Sequence, residues 1–149
     1  MNDFTHDNSA LRICVDSMND HSVSGRVFSR RLVKAIEFTD LSSLFLRLEQ
    51  LFDRQRFPQA FQRMRVIVRD TLWQDAASAV DASGGMSEEM VSAQRGTVAT
   101  FDLRIISRRN ATWQGNVDWL DGSARQEFSS TLALLRMVVA KLAGLGEKR

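Results

Sequence analysis

The sequence predicts an α+β protein built from two β-β-β-α repeats with pseudo-two-fold symmetry. Apolar residues alternate in residues 11–17 and again in 100–107, as in half-buried strands. Each strand region is followed by a leucine-rich stretch with helical spacing. A constant shift of 90 residues superimposes the two regions without a gap, placing Gly25 on Gly115. These three observations favour a duplicated unit.

The composition is that of a soluble domain with its own core. The chain has 149 residues, of which 44% are hydrophobic and 26% are charged. The formal net charge of +2 requires neither nucleic acid nor an anionic membrane as a partner. Cys14 is the only cysteine, so an internal disulfide is impossible. With no signal-peptide pattern and no membrane-length apolar run, the chain is predicted to be cytoplasmic, without a membrane partner.

The first repeat is predicted over residues 10–55, after a disordered tail over residues 1–9. The first strand places Leu11, Ile13 and Val15 on one face and Cys14 on the other. Residues 26–38 predict one or two further strands. The buried positions expected there are Val27, Ile36 and Phe38.

A helix follows the strands of the first repeat. Asp40 is the predicted N-cap, because its carboxylate can accept a hydrogen bond from the first turn. Apolar residues recur at helical spacing from Leu41 to Phe52. The helix is expected to end before Arg56, since Pro58 disfavours helical backbone at Phe57.

The second repeat is predicted over residues 97–146. After the strand at 100–107, the order is a turn over 108–115, a strand over 116–120 and a third strand over 123–128. Asp121-Gly122 predicts a two-residue type I′ hairpin between the last two strands. Ser129 or Ser130 caps a final helix, and Gly144 and Gly146 are expected to end it.

Residues 56–96 are predicted to connect the repeats. Residues 61–73 alternate between apolar residues and arginine, which fits either an edge strand or a short helix. Residues 75–96 are small, polar and acidic around Gly84-Gly85, which predicts a mobile linker. Such a connector would allow the repeats to pair within one chain or to swap between chains.

Around Trp113-Gln114-Gly115 the chain resembles a family of small uncharacterised bacterial proteins. Their C-terminal half carries a pattern close to Arg-Gln-Asn-Ala-Thr/Ser-Trp-Gln-Gly-x-Val-x-Trp. Their N-terminal half has a Gly-containing hairpin, a helix and a Phe-Pro-Gln like residues 57–59 here. This chain departs at Arg109, at Ser129 and at Ala133, where the pattern has Gln, Arg and an acidic residue. The resemblance covers most of the chain and implies a fold but no activity.

The same segment supplies the candidate ligand or partner surface. In one interpretation, tryptophan is exposed to a partner, as it often is at binding hot spots. In the other, which is favoured, the tryptophans and Gly115 serve only the turns and the core. The candidate residues are Arg108, Arg109, Asn110, Trp113, Gln114 and Trp119.

Catalytic, metal and cofactor sites have little support in the sequence. His6 and His21 lie in a predicted tail and a turn, and Cys14 lies in a strand, so a Cys-His pair is a weak hypothesis. No metal-ligand spacing or phosphate-binding loop is present in the sequence. The sequence therefore predicts no enzyme, no metal and no cofactor.

The function predicted from sequence is a non-enzymatic interaction or regulatory module that forms a homodimer. Leu46 widens the apolar stripe of the first helix beyond what one sheet needs, unless the second helix covers it. One alternative is a nucleic-acid-binding protein that uses Trp113 and the basic strands. The other is a small-ligand-binding protein with a pocket near Trp113 and Trp119. The basic residues of the nucleic-acid alternative are Arg26, Arg30, Arg31, Arg63, Arg65, Arg69, Arg104, Arg108 and Arg109.

Overall fold

Six antiparallel strands form one sheet in the computed structural model of the protein, which describes residues 4–19, 22–59, 77–79 and 83–147. Helices accompany the sheet, which confirms the predicted α+β class. The order of strands in the sheet is β3-β2-β1-β4-β5-β6. The strands are β1 (Leu11–Met18), β2 (Val23–Ser29), β3 (Ile36–Phe38), β4 (Ala99–Ser107), β5 (Gln114–Asp118) and β6 (Gln126–Phe128). The helices are α1 (Leu41–Gln55), α2 (Glu88–Ser92) and α3 (Thr131–Glu147).

The centre of the sheet is the β1–β4 pair. It runs from Leu11 opposite Leu103 to Val15 opposite Ala99. Strands β2 and β3 extend the sheet on one side, and β5 and β6 extend it on the other. The two halves of the sequence therefore contribute three strands each to one continuous sheet.

A single hydrophobic core covers the face of the sheet that carries Leu11, Ile13 and Val15. The predicted alternation places these side chains together because neighbouring residues of a strand point to opposite faces. Burial of one such side chain stabilises the fold by about 1.5–3 kcal/mol. The predicted buried positions Val27, Ile36 and Phe38 are confirmed. The helices contribute Leu44, Leu48, Leu51 and Phe52 from α1, and Leu134, Val138 and Leu142 from α3.

The helix starts follow the predicted caps. The Asp40 carboxylate accepts a hydrogen bond from the Ser43 backbone N–H at 2.6 Å, and the Ser130 hydroxyl accepts one from the Ala133 N–H at 3.0 Å. Helix α1 ends at Gln55, as predicted.

Helix α3, by contrast, continues through Gly144 and Gly146, so the prediction that these glycines end it is wrong. Glycine in a helix costs only about 1 kcal/mol relative to alanine. Leu142 is buried and Leu145 packs against the core, so the last turns are held by tertiary contacts.

The opposite face of the sheet is covered near β1 and β2 by α2 and the residues after it. Arg12 of β1 donates hydrogen bonds to the carbonyl groups of Ser92 and Gln94 at 3.0 and 3.3 Å. Arg26 of β2 donates to the Arg95 carbonyl at 3.0 Å. The described residues of 75–96 therefore differ from the predicted mobile linker, because arginines on the sheet bind their backbone carbonyl groups.

The N-terminal residues that the structure describes also make contacts with the fold. Thr5 and Asn8 exchange side-chain and backbone hydrogen bonds in a turn. Phe4 is buried against the Arg31 guanidinium, and Arg104 donates to the His6 carbonyl at 2.9 Å. The disordered tail predicted over residues 1–9 stays a prediction beside these contacts, and the strand or helix predicted for residues 61–73 lies outside the described residues.

The connection between β5 and β6 is not the predicted two-residue hairpin. Residues 119–125 form the loop, and the strands occupy 114–118 and 126–128 rather than 116–120 and 123–128. Leu120 and Gly122 have positive φ angles of 58° and 89°, but Asp121 does not. Trp119 enters the core at the start of the loop. The indole packs on Phe101 and donates to the Gln126 side chain, so Trp119 belongs to the core rather than to a continuing hairpin.

Among the described residues, no helix is both long enough and apolar enough to cross a membrane.

Candidate functional site

The turn between β4 and β5 is held together by the side-chain amide of Gln114. Its oxygen accepts hydrogen bonds from the Arg109 N–H at 2.8 Å and the Ser107 hydroxyl at 2.7 Å. Its nitrogen donates to the carbonyl groups of Arg109 and Thr112 at 3.1 and 3.2 Å. Asn110 adopts a left-handed conformation, with φ of 57°, at the exposed tip. Both ends of the amide are therefore engaged within the protein.

Trp113 connects this turn to two helices. Its side chain is only 4% exposed, and its ring lies 5.4 and 5.2 Å from those of Phe45 and Phe52 in α1. The indole N–H donates to the Glu49 carboxylate at 2.5 Å. The backbone N–H donates to the hydroxyl group of Thr131, the first residue of α3. Trp113 therefore packs in the core between the sheet and both long helices.

Arg108 is buried beside Trp113 and shares its acidic neighbour. One guanidinium nitrogen donates to the Pro58 carbonyl at 2.6 Å, and another pairs with Asp53 at 2.6 Å and with Glu49 at 3.5 Å. A buried arginine needs such partners, because an unpaired charge in the interior is strongly unfavourable. Arg108 thus fixes the end of α1 to the turn after β4.

Arg31, which the sequence analysis places among the basic residues of the nucleic-acid alternative, is a second buried arginine near the end of α1. It donates to the Gln55 side-chain oxygen at 2.8 Å and to the Phe57 carbonyl. The aromatic ring of Phe52 lies 4.9 Å below its guanidinium. Burial, and then the positive charge of Arg108, lower the pKa of Arg31 to about 9. At neutral pH the group still carries its charge.

Trp119 lies in a different environment from Trp113. It is 6% exposed, its ring lies 5.1 Å from that of Phe101, and its N–H donates to the Gln126 side-chain oxygen at 2.5 Å. The Lys141 ammonium lies 5.4 Å from the ring centre. Trp119 lines a cavity of about 630 Å³ between the loop 119–125 and α3, whereas Trp113 does not.

The candidate surface is therefore divided. Arg108 and Trp113 are brought together in the interior, and Gln114 is engaged in the adjacent turn. Arg109 and Asn110 are exposed on that turn. Of the six candidate residues, only Trp119 lines the cavity. The candidate site is therefore defined by the residues near Trp119 in space rather than by those near it in the sequence.

Several of the side chains expected to contact nucleic acid are engaged within the fold, although Arg109 is exposed. Trp113 has no exposed ring face for stacking on a base, and Arg31 and Arg108 are buried. Arg26 forms an ion pair with Asp16 at 2.7 Å. Arg63, Arg65 and Arg69 lie outside the described residues. The described arginines therefore do not reproduce the predicted arrangement of cations around an exposed tryptophan.

Within the described ranges, no three histidine, cysteine, aspartate or glutamate side chains are close enough to hold a metal ion. Cys14 is buried on the face of the sheet opposite Leu11 and Ile13, as predicted, and burial raises the pKa of its thiol. The suggested partner His21 lies outside the described residues. A second, polar cavity of about 110 Å³ adjoins Arg12 and is lined by acidic and basic residues together.

Comparison of the chain with protein families, curated proteins and solved structures gives no significant match. The resemblance to the family with the Trp-Gln-Gly pattern therefore stays a prediction. The function is accordingly argued from the surfaces and cavities of the fold.

Proposed function

We propose that the protein is a non-enzymatic cytoplasmic interaction module that forms a homodimer through the outer surface of α3. The observation that carries this proposal is the composition of that helix. Of its seventeen residues only Arg136, Lys141 and Glu147 carry a charge. A helix that is apolar nearly all round is typical of one that is covered on both sides.

The outer surface of α3 carries large apolar side chains. Leu132 is 56% exposed and Val139 is 49% exposed, while Leu134 and Val138 on the inner side are buried. Residues seven positions apart lie on the same side of a helix, so Leu132 and Val139 form one strip, with the exposed Arg136 beside it. Ala143, also exposed, extends the strip by one turn. Contact with another molecule would remove these side chains from water.

A second copy of the chain is the partner that fits this surface. In a two-fold dimer one patch packs against itself, so a single apolar strip is sufficient. The net charge of +2 gives little repulsion between copies. The sequence prediction based the dimer on Leu46 of α1, which is 47% exposed. The exposed strip on α3 supports the same proposal more directly.

The proposal includes a duplicated β-β-β-α unit. In support, Gly25 lies opposite Phe38 in the sheet, and Gly115 lies opposite Phe128. Both residues of the second pair come 90 positions after the corresponding residues of the first pair. The capping residues Asp40 and Ser130 have the same separation. Membership of the bacterial family that shares the Trp-Gln-Gly pattern is part of the proposal as well.

Sedimentation velocity over a range of concentrations tests the dimer. We expect the wild-type chain to be dimeric and the Val139→Lys variant to be monomeric. The affinity between the two copies should fall by roughly 100-fold or more, because two apolar side chains that are buried in the dimer are replaced by charges. Val33→Lys is the matched control, since Val33 is also 49% exposed but lies between β2 and β3. A monomeric wild-type chain, or a V139K variant that stays dimeric, would contradict the proposal.

A further inference from the structure

The cavity beside Trp119 has the size of a small-molecule site. Its volume of about 630 Å³ lies within the range of roughly 300–1,000 Å³ that ligand pockets occupy. It lies between the loop 119–125 with the start of β6 and the second half of α3. Trp119, Met137 and Ala140 give it an apolar lining. An aromatic ring and a flexible thioether together adapt well to an apolar ligand body.

Three of the polar side chains that line this cavity can donate hydrogen bonds to a ligand. Lys141 and Arg125 supply an ammonium and a guanidinium group, which have no acceptor atoms. The Gln126 side-chain oxygen already accepts the hydrogen bond from Trp119, so its amide nitrogen is the end left to donate. The Ser123 hydroxyl donates to Asp121 at 2.5 Å. None of the described residues that line the cavity is a carboxylate, and their cationic groups match an acceptor-rich anion.

Both cations of the cavity have acidic neighbours outside it. Lys141 pairs with Asp121 at 2.5 Å, and Arg125 lies 3.7 Å from Asp118. All four side chains are partly exposed, and exposed ion pairs contribute little to stability. A ligand carboxylate can therefore replace or share these partners at small cost. Asp121 binds both Lys141 and Ser123 at the edge of the cavity, so a ligand carboxylate has to share Lys141 with Asp121 or displace it.

We propose that this cavity binds a small organic carboxylate with an apolar body. The carboxylate is held by Lys141 and Arg125, with the Gln126 amide as a further donor, and the apolar part packs on Met137 and Ala140 beside the exposed edge of the Trp119 indole. This proposal is independent of the homodimer, because Leu132 and Val139 do not line the cavity.

Decanoate, decanol and acetate provide the test on the full chain, by isothermal titration and tryptophan fluorescence. Decanoate has both required parts, decanol lacks the charge, and acetate lacks the apolar body. We expect decanoate to bind and to alter fluorescence, decanol to bind at least roughly tenfold more weakly, and acetate not to bind. The fluorescence change should disappear in Trp119→Phe. Equal affinity for decanoate and decanol, or no binding of decanoate, would overturn the proposal.

Two substitutions at the ion pair separate recognition from general loss of structure. Lys141→Met should weaken decanoate binding by roughly tenfold, because it removes one charge-assisted hydrogen bond. Asp121→Asn should strengthen binding, because it frees Lys141 for the ligand. Lys34→Met, at an exposed lysine outside the cavity, should leave the affinity unchanged. Weaker binding in D121N would mean that the ion pair serves only the loop, and would sink the assignment.

The titration is repeated in V139K so that failure of the dimer and failure of the cavity can be distinguished. A monomeric variant that binds decanoate normally would support the carboxylate site whether or not the dimer exists. Loss of binding in V139K would contradict a site contained within one chain.

Discussion

The side chain of Gln114 stabilises the turn between β4 and β5 by hydrogen bonds. Gln114 lies in β5, and its side-chain oxygen accepts a hydrogen bond from the Ser107 hydroxyl at the end of β4. Its side-chain nitrogen also donates to the Ser129 carbonyl at 3.4 Å. The sequence identified Gln114 as unusual but left open whether it served a turn or a ligand. An amide suits the turn because it offers an acceptor and donors on one short side chain. Which groups the Gln114 amide binds depends on the fold around it, so residue type alone does not predict it.

The Gln114→Ala variant should be less stable than wild type by about 1–3 kcal/mol. The expected cost arises because the Ser107 hydroxyl and several backbone groups would lose their partner in a partly buried turn. Equilibrium urea unfolding measures the difference. Asn116→Ala, two residues along the same strand, is the control and should change stability much less. Similar losses in the two variants would show that the amide does not brace the turn.

The buried arginines mark the limit of sequence reasoning at the residue scale. Arg31 and Arg108 lie in basic stretches that resemble the solvated faces of strands. Their burial depends on carbonyl groups of Phe57 and Pro58, which come from a distant part of the chain. Local charge patterns contain no information about such acceptors. For Trp113, burial in the core was the favoured interpretation, and the structure agrees with it.

Among the elements, strands β2 and β5 each require glycine at one position, Gly25 and Gly115. A Cβ atom on Gly115 would lie 1.9 Å from the Arg104 carbonyl oxygen, and one on Gly25 would lie 1.9 Å from that of Cys14. Backbone must move to relieve contacts this short. The strands therefore depend on close approach of their neighbours at these two points.

Gly115→Ala should destabilise the protein by roughly 2 kcal/mol or more, since strain from an oversized side chain in a packed region typically costs 1–3 kcal/mol. Gly144→Ala is the matched control in α3, where nothing lies within 4 Å of the added Cβ. There the change should stabilise by about 0.5–1 kcal/mol, because alanine favours helix. Thermal unfolding of both variants provides the comparison. Equal shifts of the melting temperature in the two variants would refute the argument.

The elements that sequence predicted well are those with a strong local signal. Alternation located β1 and β4, helical spacing located α1 and α3, and Asp40 marked the start of α1. The prediction of a two-residue hairpin between β5 and β6 was wrong because the turn preference of Asp121-Gly122 is a local signal that only these two residues carry. Trp119 packs on Phe101 instead, and that contact joins positions far apart in the sequence.

At the scale of the whole molecule, two arginines on the sheet bind described residues that lie between the halves. Arg12 pairs with Asp102 at 2.6 Å across the central strands and also binds carbonyl groups at Ser92 and Gln94. Arg26 pairs with Asp16 at 2.7 Å in the same way. The composition of residues 83–96 is that of a linker, so sequence alone predicted mobility. The order comes instead from cations on β1 and β2 that require acceptors.

The ion pair between Asp16 and Arg26 makes the attachment of residues 95–97 to the sheet dependent on pH. The hydrogen bond from Arg26, helped by one from the Thr97 N–H, lowers the pKa of Asp16 below its ordinary value. In the unfolded chain the pKa of aspartate is about 3.9. The contribution of Asp16 to stability is therefore complete above about pH 4 and is lost as the pH falls through the lower pKa of the folded state.

Asp16→Asn should remove this pH-dependent contribution. At pH 7 the variant should be less stable than wild type, by up to about 1 kcal/mol because the pair is partly exposed. The difference in unfolding free energy should shrink as the pH falls below about 4, where wild-type Asp16 becomes protonated as well. Amide hydrogen exchange should rise at Thr97, whose N–H loses its carboxylate acceptor. Asp118→Asn is the control, since Arg125 lies 3.7 Å away. A difference between wild type and D16N that stays constant from pH 7 to pH 2 would show that the carboxylate charge does not hold residues 95–97 on the sheet.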